Sequence, residues 1–178
     1  MPLIKKKRVT SILGLAFDGK LLHGAVLRRK NGSAQVLKSF SATLTLDLLS
    51  NEPELVGREI RNHLEAAGIR ERHCAVCLPL SWGLTLHSKL PGLSEEDIQS
   101  LLPLEAERGF PFAPETAWIS TSRSRSPSGE EWAMQVAIPR DHLTRLESVL
   151  RAARLKPLTM VPGLCALQGP EPEAAKGT

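Results

Sequence analysis

The sequence contains no tyrosine, few other aromatic residues and only three cysteines. Aromatic residues make up 4% of the 178 residues, so the expected core consists mainly of leucine, valine, isoleucine and alanine. Three cysteines are an odd number, which is typical of a protein in a reducing compartment rather than of a disulfide-stabilised secreted domain. We therefore expect a cytoplasmic protein without a disulfide framework.

Long apolar runs are also missing from the chain. No segment approaches the roughly 20 apolar residues that a membrane-spanning helix needs. The charged start is not followed by the apolar stretch of a secretory signal peptide. Hydrophobic residues at 42% and charged residues at 24% are typical of a globular chain, long enough for one domain or two small subdomains.

The net charge of +4 comes from one short run near the start. Lys5, Lys6, Lys7 and Arg8 account for the whole excess, because the rest of the chain has 19 basic and 19 acidic residues. A nucleic-acid-binding domain usually carries its basic excess on a face with stacking aromatic residues, so we expect no nucleic acid as a partner. The run is either a solvated end or a membrane-proximal basic tail attracted to anionic lipid.

The first 45 residues predict a three-stranded antiparallel meander. Residues 13–27 (LGLAFDGKLLHGAVL) form two apolar segments around Asp18-Gly19, which is a strong hairpin signal. Asn31-Gly32 repeats that signal, and residues 34–44 alternate as a third strand.

A helix over about residues 53–67 and a buried strand over residues 74–78 follow. Asn51 is the expected cap, and Gly68 suits the exit from the helix. The apolar stripe at helical spacing consists of Val56, Ile60, Leu64 and Ala67.

Residues 82–162 predict a β-α-β-β-α-β order. Ser94 and the three acidic residues after it indicate the start of a helix that runs to Arg108, with Pro103 expected to kink or split it. The other elements are strands near 84–90, 118–123, 132–138 and 158–161, and a helix over about 141–154. From Gly169 the composition is typical of a linker or disordered end.

Several segments together resemble the PilM family, the actin-like cytoplasmic component of type IV pilus assembly. They are the hairpin at 13–27, the strand at 72–79 (RHCAVCLP), the segment 90–96 (LPGLSEE) and the most specific one, 104–112 (LEAERGFPF). The resemblance extends over about residues 11–168 and covers only the first lobe of that family. The family belongs to the actin-like ASKHA superfamily and is related to FtsA and to the secretion-system protein GspL.

The resemblance implies a mixed α/β fold with a ribonuclease-H-like, actin-type subdomain and an inserted small β-α-β-β-α-β subdomain. The implied organisation is a basic tail at 1–8, the ribonuclease-H-like subdomain at 9–80 plus 163–168, the insertion at 81–162, and a linker or disordered end at 169–178.

The nucleotide-binding hairpin of the family is degenerate in this chain. In the family, the first strand ends in an aspartate that orders magnesium, followed by glycine, a serine-rich turn and a lysine. The corresponding positions here are Ala16 for the aspartate, Asp18 for the glycine and about His23 for the lysine, and the turn with Gly19 and Lys20 has no hydroxyl. A carboxylate in that turn would repel a phosphate, so we expect no bound ATP or magnesium in this lobe alone.

The segment LEAERGFPF has two interpretations. One is structural: Gly109 takes the left-handed position after the helix, Phe110 folds back on Leu104, and Pro111 prevents continuation. The other follows from the family, which holds a short N-terminal peptide of the membrane protein PilN in a groove between the two subdomains. The residues expected at that groove are Leu104, Glu105, Arg108, Phe110 and Phe112.

Other candidate sites have weaker support. Cys74 and Cys77 are spaced as CxxC, but residues three apart in a strand point to opposite faces and cannot share a metal ion. The five histidines match no metal or catalytic motif. Serines alternate with Arg123 and Arg125 over residues 120–128, which predicts an exposed strand edge and loop or a phosphorylation-sensitive contact.

We therefore expect a non-catalytic cytoplasmic scaffold, peripheral to the inner membrane, in a type IV pilus or type II secretion-like assembly. It would dock the N-terminal cytoplasmic tail of a PilN-like membrane protein, and homo-oligomerisation is left open. The alternative is that the chain is the first lobe of a nucleotide-dependent actin-like ATPase or polymerising protein.

Overall fold

The structure is a computed structural model that describes residues 11–30 and 32–163. The chain divides into two compact units, one formed by residues up to Leu80 and from Leu146 onward, the other by Ser81–Arg145. The predicted basic tail, residues 164–168 and the predicted C-terminal linker lie outside the described residues.

The helices and strands follow the predicted order. In chain order they are β1 (Ser11–Asp18), β2 (Leu21–Lys30), β3 (Ser33–Thr43), α1 (Pro53–Ala66), β4 (His73–Leu78), β5 (Leu84–Leu90), α2 (Glu95–Gly109), β6 (Ala117–Arg125), β7 (Glu131–Pro139), α3 (Arg140–Ala152) and β8 (Lys156–Pro162). None of the helices that the structure describes combines the length and the apolarity required to cross a bilayer.

The first unit contains a five-stranded sheet in the order β3-β2-β1-β4-β8. The meander β1-β2-β3 is antiparallel, as predicted, while β4 and β8 run parallel to β1. This is the strand order expected of a ribonuclease-H-like subdomain, and the predicted mixed α/β fold class is confirmed.

The core of the first unit lies between one face of this sheet and two helices. Alternate residues of β1, Leu13, Leu15 and Phe17, are at most 4% exposed. The buried residues of α1 repeat at helical spacing, and α3 adds three more that are fully buried. The buried apolar side chains of the two helices are Val56, Ile60 and Leu64 in α1 and Leu146, Val149 and Leu150 in α3.

The two ends of α1 differ in how well they were predicted. Gly68 has a φ of +64° after the helix, and the N–H groups of Gly68 and Ile69 donate to the carbonyls of Glu65 and Leu64 at 2.9 Å. This is a Schellman motif, so the predicted exit is confirmed. The predicted cap was wrong: the N-cap residue is Glu52, not Asn51, and the Glu52 side chain makes no capping hydrogen bond.

The second unit consists of an antiparallel sheet in the order β5-β7-β6, with α2 against one face. Ser94 caps α2 as predicted, since its Oγ accepts a hydrogen bond from the Asp97 N–H at 3.2 Å. Pro103 does not split the helix, which continues as one element to Gly109. On the inner side, Ile98 and Ala106 are at most 3% exposed.

The boundary of the inserted unit differs from the expected residue 162. Residues from Leu146 onward belong to the first unit, because β8 pairs with β4 and not with the second sheet. Met160 lies opposite Val76 and Val161 opposite Cys77 in that parallel ladder. The insertion is therefore β-α-β-β, and the predicted final helix and strand largely complete the ribonuclease-H-like unit.

Candidate functional site

A concavity of about 560 Å³ lies in the second unit, beside the C-terminal end of α2. Its apolar lining comes from Leu104, Phe110, Phe112, an alanine and three prolines. Its two charged residues are Glu107 and Glu115. The concavity therefore combines an apolar surface with negative charge. We call it the α2-end concavity.

The concavity forms where α2 ends, just before Phe110 and Phe112. The Phe110 N–H donates the last helical hydrogen bond to the Ala106 carbonyl at 3.0 Å, and the backbone of Phe110 is then extended. Phe110 is only 6% exposed and packs against Ala117 and Ala137. The Phe112 ring stacks on it, with ring centroids 5.6 Å apart and planes 2° from parallel.

Gly109 has a different role from the predicted one. It is the last helical residue and does not take the left-handed conformation. A Cβ atom at this position would lie 2.5 Å from Cδ2 of Leu86 in β5. The end of the helix therefore lies close to the Leu86 side chain, which would have to move to accommodate a larger residue at position 109.

The structure brings together three of the five residues that the sequence placed at the groove. Leu104, Phe110 and Phe112 line the α2-end concavity, whereas Glu105 and Arg108 do not. Glu105 faces the sheet, where its Oε2 accepts a hydrogen bond from the Ser88 Oγ at 3.3 Å. Arg108 is exposed on α2. Whether the three lining residues contact a partner stays a prediction.

Sequence reasoning noted Glu107 as a flanking residue of this helix end without placing it among the groove residues, and it missed Glu115. Glu107 follows Leu104 by three residues, and residues at that spacing share one face of a helix. Helical periodicity therefore could have placed Glu107 in the groove. Glu115 lies in a short helical turn at Pro114–Thr116, and its place depends on how the chain folds back after Phe112. No local pattern in the sequence indicates that position.

The hairpin of the first unit places Ala16 and His23 directly opposite each other. These are the positions that the family resemblance assigns to the aspartate and, approximately, the lysine. His23 is engaged by Ser41, whose Oγ lies 2.5 Å from its Nδ1. The turn itself is tight, with Gly19 at a φ of +55° and the Lys20 Nζ donating to the Thr45 carbonyl at 2.9 Å. Asp18 ends β1 and is exposed.

A second concavity, of about 700 Å³, lies on the sheet face opposite to the core of the first unit. Its lining comes from β1, β2, β3, β4 and β8 and consists mostly of small side chains such as Gly14, Ala16, Ala25 and Ala75. No Asp, Glu, Lys or Arg side chain is among the described residues that line it. This face could accommodate an apolar surface, but its lining has no charged side chain that would attract a phosphate or a metal ion.

The two cysteines of β4 lie on opposite faces, as the alternation predicted. Cys74 is fully buried, whereas Cys77 is partly exposed and lines the sheet-face concavity. Burial raises the pKa of the Cys74 thiol to about 11. Within residues 11–30 and 32–163, no group of His, Cys, Asp and Glu side chains has the arrangement of a metal site.

The arginines of the serine-rich strand form ion pairs. Arg123 Nη1 contacts the Glu95 carboxylate at 2.6 Å, and its Nη2 contacts Glu131 at 3.2 Å. Arg125 also pairs with Glu131. These contacts hold β6 against β7 and the first turn of α2, which favours the structural interpretation of that segment. All of them are exposed, so each contributes little to the free energy of unfolding.

Two solved structures share this fold. A chain of the PilM–PilN type IV pilus biogenesis complex superposes with a TM-score of 0.69 at 21% identity, over 85% of the present chain and 47% of that chain. The cytoplasmic domain of EpsL, an inner membrane component of the type II secretion system of Vibrio cholerae, superposes with a TM-score of 0.61 at 17% identity, over 90% of the present chain and 60% of that domain.

These comparisons establish a shared fold. The chain spans about half the length of the matched chain of the pilus complex. The sequence matches no protein-family model. It also matches no curated protein. The resemblance inferred from the sequence is thus confirmed at the level of three-dimensional structure.

Proposed function

We propose that this chain is a non-catalytic scaffold in an inner-membrane assembly of the type IV pilus or type II secretion kind, and that it works at the cytoplasmic face of that membrane. In this role it docks the N-terminal cytoplasmic tail of a PilN-like membrane protein. The proposal is supported by the fold shared with a chain of a PilM–PilN complex and with an inner-membrane secretion component.

The single observation that carries the docking proposal is the α2-end concavity. Leu104 is 50% exposed there, beside a stacked pair of phenylalanines. Exposed apolar side chains next to a preformed apolar surface are typical of peptide-binding sites. Burying one leucine-sized side chain contributes about 1.5–3 kcal/mol, so each apolar anchor of a bound peptide would strengthen its binding measurably.

The charge of this concavity favours a basic peptide. Glu107 and Glu115 are its charged residues, and both are exposed. Cytoplasmic segments of membrane proteins carry an excess of lysine and arginine. An N-terminal tail also has its α-amino group. We therefore propose an occupant with an apolar anchor flanked by positive charge.

We further propose that the chain catalyses no reaction and holds neither ATP nor magnesium. Ala16 stands where the family resemblance places the magnesium-ordering carboxylate, and a methyl group cannot order the water around a metal ion. The uncharged lining of the neighbouring sheet face also supports this proposal.

The docking proposal is tested by fluorescence anisotropy with labelled synthetic peptides that correspond to the N-terminal tails of PilN-like membrane proteins. Leu104→Ser should weaken binding about 10- to 100-fold, because it removes the apolar contact. Glu107→Gln combined with Glu115→Gln should weaken binding at low salt and change it little at high salt.

Leu93→Ser is the matched control, since Leu93 is 47% exposed and lies outside the concavity. Equal affinity of the Leu104→Ser and Leu93→Ser variants would refute this site. A rise in the melting temperature of the parent chain with magnesium-ATP would instead support the ATPase alternative.

A further inference from the structure

Basic residues concentrate at one end of the first unit. The strands β1, β4 and β8 run parallel, so their first residues lie at the same end of the sheet. The antiparallel β2 ends there with Arg28, Arg29 and Lys30, since Arg28 lies opposite Ser11. Lys156 begins β8 at this end, opposite His73. All four of these basic side chains are exposed.

A concavity of about 300 Å³ at this end is lined by four arginines. Arg61 comes from α1, Arg70 and Arg72 from the segment between α1 and β4, and Arg154 from the exit of α3. Within the described part of the chain none of the four has an ion-pair partner, in contrast to Arg123 in the second unit. Their charges are therefore available to an external anion.

The acidic residues of this concavity neutralise the arginines only in part. Glu71 Oε1 accepts a hydrogen bond from the Ser11 Oγ at 3.0 Å, and its Oε2 accepts one from the Arg70 backbone N–H at 3.2 Å. Burial alone would raise the pKa of Glu71, but hydrogen bonds from its own backbone, from Ser11 and from Arg70 lower it. Glu65 is the other acidic residue, so four arginines face two carboxylates.

Two exposed apolar side chains flank the same end of the sheet. Val36, opposite Leu27 at the edge strand β3, is 60% exposed, and Leu158 in β8 is 56% exposed. Leu158 follows Pro157, which pairs with Cys74 at the start of β4. Exposed apolar residues beside basic ones are typical of protein surfaces that bind at a lipid–water interface.

We propose that this end of the first unit binds an anionic membrane surface through its folded basic residues. We call it the basic end and define it by Arg28, Arg61, Arg70, Arg72, Arg154 and Lys156. No aromatic residue lines its concavity, so the stacking surface used for single-stranded nucleic acid is missing among the described residues. The proposal does not depend on peptide docking in the second unit.

The test is co-sedimentation of the full chain with vesicles of phosphatidylcholine, with and without phosphatidylglycerol. One basic residue near an anionic surface changes partitioning by roughly fivefold, so Arg70→Gln with Arg72→Gln should lower it by roughly 25-fold. The charge-matched control is Lys20→Gln with Arg58→Gln, because Lys20 lies in the turn at the other end of the sheet and Arg58 in the first half of α1. The control should change partitioning less than threefold.

A chain without residues 1–8 separates the contribution of the fold from that of the tail. The loss caused by Arg70→Gln with Arg72→Gln should persist in this shortened chain. The proposal is overturned if the loss disappears there, if the control pair has the same effect, or if vesicles without phosphatidylglycerol bind as well. Tighter binding of duplex DNA than of vesicles, abolished by the same substitutions, would show that the basic end serves a nucleic acid instead.

Discussion

A Cβ atom placed on Gly57 of α1 would lie 2.5 Å from the Cβ of Ala152 in α3. It would also lie 2.6 Å from the Val149 carbonyl oxygen and 2.8 Å from the Ala153 backbone nitrogen. Two of these three neighbours are backbone atoms, which cannot move without shifting the helix. The two helices thus meet where only glycine fits, and this contact joins the last helix to the first unit.

Gly57→Ala should destabilise the protein, although alanine is favoured over glycine by about 1 kcal/mol inside a helix. Overpacking of a tight contact typically costs about 1–3 kcal/mol, and here it outweighs helix propensity. Urea unfolding should therefore give a lower free energy of unfolding, by about 1–2 kcal/mol. Gly109→Ala is the comparison, because its new Cβ would meet only the flexible end of Leu86. A smaller loss for Gly57→Ala than for Gly109→Ala would contradict this account.

Arg154→Gly should stabilise the protein. Arg154 has a φ of 62° after α3, the only non-glycine residue of the described chain with a positive φ. Its N–H donates to the Arg151 carbonyl, and the Leu155 N–H donates to the Leu150 carbonyl, both at 2.9 Å, so it occupies the usual glycine position of a Schellman motif. Relief of the left-handed strain should raise the free energy of unfolding by about 0.5–1 kcal/mol.

The control for that substitution lies three residues earlier. Arg151→Gly is inside α3, where glycine should lower the free energy of unfolding by about 1 kcal/mol. If the backbone conformation of residue 154 causes the effect, chemical denaturation should show that the two substitutions change the free energy of unfolding in opposite directions. A change of the free energy of unfolding in the same direction for both variants would rule out this explanation.

Glu59 should contribute to stability in a pH-dependent way. Burial acts to raise its pKa, but hydrogen bonds from the Thr45 N–H and hydroxyl, the Leu46 backbone and the charge of His63 lower it below the ordinary 4.5. The Thr45 N–H and Oγ1 lie 2.7 and 2.9 Å from its Oε1. A carboxyl whose pKa is lower in the folded state stabilises the fold above 4.5, and this stabilisation is lost as the pH falls through the folded-state pKa.

Glu59→Gln should therefore lower the free energy of unfolding at pH 7 by about 1–2 kcal/mol, with a shrinking difference from the parent below pH 4.5. Thermal unfolding followed by circular dichroism from pH 3 to pH 7 measures both effects. Glu54→Gln, on the exposed side of the same helix, is the charge-matched control. A constant difference over the whole range would mean that ionisation of Glu59 is not involved.

The two thiols of β4 should differ in reactivity. Cys77 is partly exposed, whereas Cys74 is buried with its pKa raised to about 11, so Cys74 has little thiolate at pH 8. In a Cys165→Ser background, iodoacetamide at pH 8 should label Cys77 at least 100-fold faster than Cys74. Mass spectrometry of the labelled peptide identifies the site. If Cys74 is labelled as fast as Cys77 in the native protein, and not only in urea, the prediction is wrong. Such a result would show that β4 opens in the folded state.

The order of helices and strands could be read from the sequence, because it depends on local patterns. The turn at Asp18-Gly19, the Ser94 cap and the Gly68 exit are set by residues within a few positions of one another. The boundary of the insertion could not be read in this way. Whether β8 joins β4 or the second sheet depends on a pairing across more than 70 residues, and either choice has the same order of elements.

The candidate site was also only partly predictable. Leu104, Phe110 and Phe112 were identified because apolar residues at the end of a helix and the family resemblance point to the same segment. Glu115 was missed because its place beside Phe112 depends on the path of the chain after the helix. Gly109 was assigned to a left-handed cap because local rules cannot detect that Leu86 of β5 lies against it.

The sequence by itself determined the fold class and the order of the helices and strands. Outside the first basic run, it also showed equal numbers of basic and acidic residues, from which no charged surface could be expected. Only the tertiary structure decided that Arg70, Arg72 and Arg154 lie together at one end of a unit, without ion-pair partners among the residues that the structure describes. Composition gives only the sum of the charges in the chain. A charged surface depends instead on which side chains lie close together, and this is set by the directions of the strands and the positions of the helix ends.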